Sequence, residues 1–210
     1  MQRLKEASKE NQWTAGMDRE MACLHQRGVS IDQIESCLAS VPIEPALKGV
    51  LTDLSSKDVE FRVLSDANTM FIEVILKANG LDQAVSRIVT NPSSVSDGRL
   101  RVSPYHTTPH PPPSTSPPNL CKGRVMREWL QEKDWSNVIY CGDGGGDFEG
   151  ALAVPAGGTV CARKDWSLHK KLQQRMAEGG AQGLAASVEL WQTQAELAAR
   201  ISARARARTA

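Results

Sequence analysis

At 210 residues the chain is long enough to bury a core of its own, and its length fits one α/β domain with a small accessory element. Its 25 lysines and arginines nearly cancel its 24 aspartates and glutamates, which excludes a molecule-wide field for nucleic acid or an anionic membrane surface and leaves any anion binding local. No stretch approaches the roughly 18 apolar residues of a membrane span, and the start, MQRLKEASKE, lacks the apolar run of a secretion signal, so the expectation is a soluble cytoplasmic protein without nucleic-acid or membrane partners.

Residues 1 to about 45 follow helical spacing. Met17, Met21 and Leu24 form one apolar stripe and Ile31, Ile34, Cys37 and Leu38 another, with Gly28 breaking the run between them. Pro42 and Pro45 punctuate the chain, since proline lacks a backbone donor and biases its predecessor away from helix. A new unit is therefore expected from about residue 46. Val59 to Leu64 reads as a strand, and Asn68 to Lys77 as a helix closed by Asn79-Gly80. Ser86 to Thr90 gives a second short strand. The segment 91–119 holds seven prolines between Pro104 and Pro118 and is expected to be an extended, exposed excursion without helix or sheet interior.

The alternation resumes with a helix over Lys122 to Gln131, a strand Asn137 to Cys141, a glycine-rich turn, a strand Gly158 to Ala162 and a helix from Trp166 to Met176. Strands separated by helices imply parallel pairing, hence an α/β fold with a doubly wound parallel sheet whose ligands lie at the carboxyl ends of the strands. Ala185 to Ala210 is rich in alanine and arginine and reads as a C-terminal helix, with Arg204, Arg206 and Arg208 as a solvated basic tail. The resulting division is 1–45, 46–180 with the proline-rich loop 91–119, and 181–210. The five cysteines (Cys23, Cys37, Cys121, Cys141 and Cys161) contain no CxxC pair and lie in apolar segments, so they read as reduced thiols that pack as small hydrophobes.

Three places carry chemistry. In Val138-Ile139-Tyr140-Cys141-Gly142-Asp143-Gly144-Gly145-Gly146-Asp147, an apolar strand runs into two carboxylates four residues apart on a glycine turn. Asp143 would face the crevice at the strand end and Asp147 would point back to it, a set of hard oxygens that suits magnesium. A plain glycine turn with a helix-capping aspartate accounts for the same letters. In Leu64-Ser65-Asp66-Ala67-Asn68-Thr69, a hydroxyl sits where a strand gives way to a helix, beside free N–H groups able to receive a phosphoryl oxygen. Taken by itself the tract is more simply an ordinary helix cap, since Ser, Asp and Asn are common N-caps. Lys122 follows the proline-rich loop and could neutralise charge on a transferred phosphoryl group, or simply lie on the surface. Their order, a hydroxyl, then a lysine, then paired aspartates, is what joins them.

The tracts Leu64 to Thr69, Asn91-Pro92-Ser93, Pro104-Tyr105-His106, Leu120-Cys121-Lys122, Gly142 to Phe148 and Leu168-His169-Lys170-Lys171 resemble the phosphoethanolamine/phosphocholine phosphatase family of the haloacid dehalogenase superfamily. That family includes pyridoxal-phosphate phosphatases and plant phosphate-starvation-induced pyrophosphatases. The resemblance spans about residues 10 to 175 and implies a small helical cap, of which 1–45 would be a remnant, and a Rossmann-like core. It also implies a magnesium-dependent mechanism in which one aspartate attacks phosphorus and a second, two residues later, handles the proton. By resemblance Ser65 would hold a phosphoryl oxygen, Asp66 would contact substrate, Lys122 would stabilise charge, Asp143 would ligate Mg2+ and Asp147 would be its supporting carboxylate. The ligand would be a small phosphorylated metabolite: phosphocholine, phosphoethanolamine, pyridoxal phosphate or pyrophosphate.

The family's Asp-x-Asp-x-Thr, which follows an apolar strand ahead of the cap, has no counterpart in the 210 residues. Asp18, Asp32, Asp53 and Asp58 lack the strand that would have to precede such a nucleophile. The expectation is thus an N-terminally incomplete phosphatase, without the central first strand of the sheet and without turnover of its own. The alternatives are a relative that binds a phosphate ligand or a partner without catalysis and, more distantly, an unrelated nucleotide-binding domain, for which the acidic glycine turn lacks the lysine and cradling amides.

Overall fold

A computed structural model describes residues 13–57, 59–112, 114, 116, 119–177 and 184–206; Asp58, Pro118 and Arg208, named above, lie outside them, as do 1–12, 178–183 and 207–210. In chain order the elements are α1 (Trp13–Gln26), α2 (Ile31–Ala39), α3 (Pro45–Ser55), β1 (Phe61–Asn68), α4 (Thr69–Ala78), β2 (Val85–Asn91), β3 (Ser93–Ser96), β4 (Arg99–Val102), α5 (Lys122–Leu130), β5 (Ile139–Gly142), a 3-10 turn (Gly145–Asp147), α6 (Phe148–Leu152), β6 (Thr159–Arg163), α7 (Ser167–Ala177), β7 (Ser187–Trp191) and α8 (Gln194–Arg206). The chain divides into two units, 1–43 with 55–120 and 44–54 with 121–210. The α/β class with parallel sheets holds: each unit carries its own, β1-β2 in the first and β5-β6-β7 in the second.

In the first unit, Ser30 starts α2 with a capping box, its hydroxyl accepting from the Gln33 amide while the Gln33 side chain accepts from the Ser30 amide. Gly28 breaks the preceding helix with φ +80°. The helix α4 crosses from β1 to its parallel neighbour β2 and ends on Asn79, with Gly80 in the left-handed region and the Leu81 amide reaching back to the Leu76 carbonyl. Asn79 also fixes the chain at 41–43, accepting from the Ile43 amide and donating to the Val41 carbonyl.

The segment 91–119 departs from the expected exposed excursion. Its first part is the antiparallel hairpin β3-β4, turned at Asp97 and Gly98 with φ of 52° and 72°. Leu100 and Val102, two residues apart on β4, are buried with Met21, and Met17, Leu24, Ile31, Ile34, Met70 and Phe71 pack around them. The apolar stripes of α1 and α2 thus have the hairpin as their partner. Pro92 precedes the first paired residue and the run of seven prolines begins only at Pro104, past the last one, so none of them interrupts the pairing. Asp18 ties α1 to the hairpin: its carboxylate accepts from the Arg99 guanidinium and the Val102 amide.

In the second unit, α5 buries Lys122, Val125, Met126 and Trp129, the one-face spacing of a helix that packs on a core. α7 buries Leu168 and Leu172 one turn apart, and α8 buries Leu197, Ala198 and Ile201. Residues 187–191 are not helical as expected: Ser187-Val188-Glu189-Leu190-Trp191 pairs parallel with β6, and only from Gln194 does the helix α8 begin. A run with Val, Leu and Trp suits a pleated neighbour, and the alanine-rich remainder suits helix. Nor is Arg204 part of a solvated tail, because its guanidinium pairs with Glu189 of β7 and its carbonyl accepts from Asn137. Among the described residues no helix is long and apolar enough to cross a membrane.

Candidate functional site

The glycine turn after β5 is organised by Asp147. Its Oδ1 accepts from Lys122 Nζ at 2.7 Å and from the Tyr140 hydroxyl at 3.0 Å; its Oδ2 accepts from the amides of Asp143 at 3.0 Å and Gly144 at 2.8 Å. Both carboxylate oxygens are therefore doubly bonded by donors, two charged or hydroxyl and two backbone. Lys122, Asp147 and Tyr140 are all buried. A charge taken out of water needs an opposite charge and hydrogen bonds, and each of these groups supplies that for another. The lysine is not a surface residue: the i, i+3, i+4, i+7 pattern of α5 places it on the buried face with Val125, Met126 and Trp129.

Two glycines allow this closure. A Cβ at Gly142 would stand 2.7 Å from Asp147 Cγ, and one at Gly150 would stand 2.6 Å from the Tyr140 hydroxyl. The loop is held from the far side as well, by the Leu168 amide donating to the Asp143 carbonyl at 3.0 Å and Lys171 Nζ donating to the Gly145 carbonyl at 3.1 Å. Turn, helix α5 and helix α7 thus converge on six residues of chain.

Asp143 differs from Asp147. Its side chain is 44% exposed, and its charged neighbour among the described residues is Arg163, whose guanidinium lies 4.0 Å from Asp143 Oδ2. Arg163 ends β6 and is stacked 4.1 Å above the Trp166 ring, with Trp191 5.3 Å away. For magnesium the donor set is a single available carboxylate, because Asp147 has no lone pair left over, and among the described residues no three His, Cys, Asp or Glu side chains are gathered to hold a metal by themselves. One carboxylate with water and phosphate oxygens is a coordination that magnesium accepts, so Asp143 fits as the ligand and Asp147 as the group that fixes it.

Ser65 and Asp66 lie in the first unit, within the second half of the strand β1 rather than beyond it. The cap of α4 is Asn68, whose side chain accepts from the Phe71 amide, so capping does not occupy Ser65. The register between β1 and β2 slips between Ser65 and Asn68, and Asn91 closes the gap by donating to the carbonyls of Asp66 and Ala67 at 2.9 and 3.1 Å. Ser65 Oγ accepts from the Ala67 amide, and Trp13 donates its indole N–H to the Asp66 carbonyl. Two buried side-chain groups at these strand ends, Asn68 Nδ2 and Thr90 Oγ1, have no hydrogen-bond partner among the described residues.

Sequence reasoning singled out neither Tyr140 nor Arg163, and took Asn91 only as part of a resembling tract. A lysine on an apolar helix face was the available signal that a buried partner had to exist. The packing reading of the cysteines holds for Cys121 and Cys161, which are buried, whereas Cys37 and Cys141 are exposed. Cys141 and Cys161 stand opposite each other on β5 and β6, and each one's neighbouring thiol sets the direction of its shift, Cys141 well above and Cys161 below the ordinary thiol value.

Residues 1–204 match the family described as Putative Phosphatase. A thiamine phosphate phosphatase-like protein of Arabidopsis thaliana is 40% identical over 76% of this chain and 68% of its own length. Inorganic pyrophosphatase 2 of the same plant is 37% identical over 77% of this chain and 61% of its own. Pyridoxal phosphate phosphatase PHOSPHO2 of Bos taurus is 28% identical over 92% and 82%.

Proposed function

Because the chain belongs to the Putative Phosphatase family of the haloacid dehalogenase superfamily, we propose that it serves the magnesium-dependent hydrolysis of small phosphate monoesters. The observation that carries this reading is the buried Lys122-Asp147 pair, which fixes the turn bearing Asp143 and its half-exposed carboxylate. Asp143 is the ligand for Mg2+; when bound, the ion polarises a phosphoryl oxygen. Lys122 and Tyr140 hold Asp147, and Asp147 holds the amides of residues 143 and 144, so that the ligand carboxylate is presented on a preset loop. Lys122 is also the cation assigned to charge on the phosphoryl group. Ser65 and Asp66 are assigned to substrate on the family pattern.

The 210 residues contain no Asp-x-Asp, so they supply grip and metal ligation without the carboxylate pair that attacks phosphorus and moves the proton. The proposal for this chain is accordingly binding of phosphate esters without turnover. The ligands to try first are those in the relatives' names, thiamine phosphate, pyrophosphate and pyridoxal phosphate, together with phosphocholine and phosphoethanolamine.

Calorimetry with each ester, with and without Mg2+, tests the reading alongside an assay of released phosphate. Magnesium-dependent binding with no release is the expected result, and release is expected once an apolar strand ending in Asp-x-Asp-x-Thr is joined ahead of the chain. If the extended chain binds equally well and still releases nothing, the non-catalytic binding relative is the better description. Turnover by the 210 residues alone would overturn the roles assigned here.

A further inference from the structure

We propose that Trp166 recognises the organic part of the ester, its exposed indole stacking on a flat aromatic group that carries no positive charge, while the phosphate end is held at Asp143. The assignment rests on Asp143 serving the phosphate end, as read above.

Two contacts place Trp166 at the Asp143 turn. The Leu168 amide, two residues further along the chain, donates to the Asp143 carbonyl at 3.0 Å. The Arg163 guanidinium links the side chains, 4.0 Å from Asp143 Oδ2 on one side and 4.1 Å from the Trp166 ring on the other. The chain turns sharply to bring this about. Asp165 takes φ 63°, which is uncommon for a residue with a Cβ, and its amide donates to His169 Nδ1 at 3.0 Å, while the Trp166 amide donates back to the Arg163 carbonyl at 3.3 Å. Tryptophan is highly buried on average, yet Trp166 is 48% exposed just past the carboxyl end of β6, the end of a parallel sheet at which ligands lie.

The same neighbours decide which organic group fits. Trp166 and Trp191 are aromatic walls of the kind that surround a quaternary ammonium, but the Arg163 guanidinium, on the register partner of Trp191, already stands beside them at 4.1 and 5.3 Å. A choline, ethanolamine or thiazolium cation arriving there meets a like charge. A ring without positive charge meets none, and it gains the stacking that the open part of the indole offers. Trp191 is kept in place by its own indole N–H, which donates to the Cys161 carbonyl at 3.2 Å, so the arginine is held between fixed rings.

Calorimetry on the full chain with Mg2+ compares phenyl phosphate, pyrophosphate and phosphocholine. The wild-type chain is expected to bind phenyl phosphate more tightly than phosphocholine. In Trp166→Ala the affinity for phenyl phosphate relative to pyrophosphate is expected to fall about tenfold, and Trp166→Phe is expected to restore most of it, because a smaller ring still stacks. In Arg163→Met the like charge is gone, and phosphocholine is expected to gain about fivefold relative to pyrophosphate. A Trp166→Ala chain that weakens phenyl phosphate and pyrophosphate equally, or a Phe variant no better than Ala, gives Trp166 a purely structural part and overturns the proposal while leaving Asp143 its role. A wild-type chain that prefers phosphocholine to phenyl phosphate overturns it as well. Binding of none of the three removes the phosphate reading itself and the ring subsite with it.

Discussion

Lys122 Nζ and Asp147 Oδ1 stand 2.7 Å apart with each side chain less than a tenth exposed, one at the start of α5 and the other at the end of the glycine turn. Removing one partner leaves the other charge buried alone, which costs about 3–5 kcal/mol. Lys122→Met and Asp147→Asn are each expected to lower the urea midpoint by that measure, and the double variant by clearly less than their sum. Equilibrium unfolding in a double-mutant cycle checks it; strict additivity would mean that the two side chains do not stabilise each other.

Gly142→Ala inserts a methyl group 2.7 Å from Asp147 Cγ. The carboxylate has to move, and its bonds to the amides of Asp143 and Gly144 go with it. The expected cost is about 1–3 kcal/mol, as for overpacking. Hydrogen exchange reads the local effect, with faster exchange at those two amides and unchanged protection in β6.

Asp143→Asn is expected to leave stability within about 0.5 kcal/mol, because the side chain is half exposed and its ion pair is a long surface contact. It is expected to abolish the upward shift of the melting temperature that Mg2+ gives the wild-type chain. Thermal melts with Mg2+ and with a chelator distinguish the two effects. A variant that still responds to Mg2+ would remove Asp143 from the ligand role.

Arg163→Met takes away a cation 4.0 Å from the Asp143 carboxylate. At that distance the pair is worth about 1 kcal/mol in a watery environment, so cation binding at Asp143 is expected to tighten by about fivefold. Calorimetric titration with Mg2+ measures it. Arg163→Lys is expected to keep the charge yet lose the flat stacking on Trp166.

Asp18→Ala removes the acceptor of the Arg99 guanidinium and of the Val102 amide. The loss is expected to be about 2 kcal/mol, with Asp18→Asn about half as costly since an amide oxygen can still accept. Separate unfolding of the first unit, followed by hydrogen exchange in β4, is the measurement.

Much of this architecture was legible in the letters. The stripes Met17-Met21-Leu24 and Ile31-Ile34 mark faces that do pack, and Asn79-Gly80 marks a helix end that does close. Three strands run against the sequence expectation, β3 and β4 within 91–119 and β7 within 185–210; they lie beside prolines and alanines respectively, and the composition of those long windows masks a four- and a five-residue pairing. Asp97-Gly98 before Leu100 and Val102 was the local signal for the first. The sequence singles out Lys122, Asp143 and Asp147, which the fold brings to one turn, yet spacing does not distinguish the exposed aspartate from the saturated one. That difference comes from Tyr140 and two backbone amides, which no motif spells out.

The Glu44 amide donates to the Gln194 side chain at 2.8 Å, across 150 residues of chain, and residues 44–54 belong to the same unit as everything after 121. During synthesis the helix α3 is made early and then waits while all of the first unit's later strands emerge. A contact so far apart in sequence slows the final step and leaves the apolar side of α3 open to chaperones in the meantime.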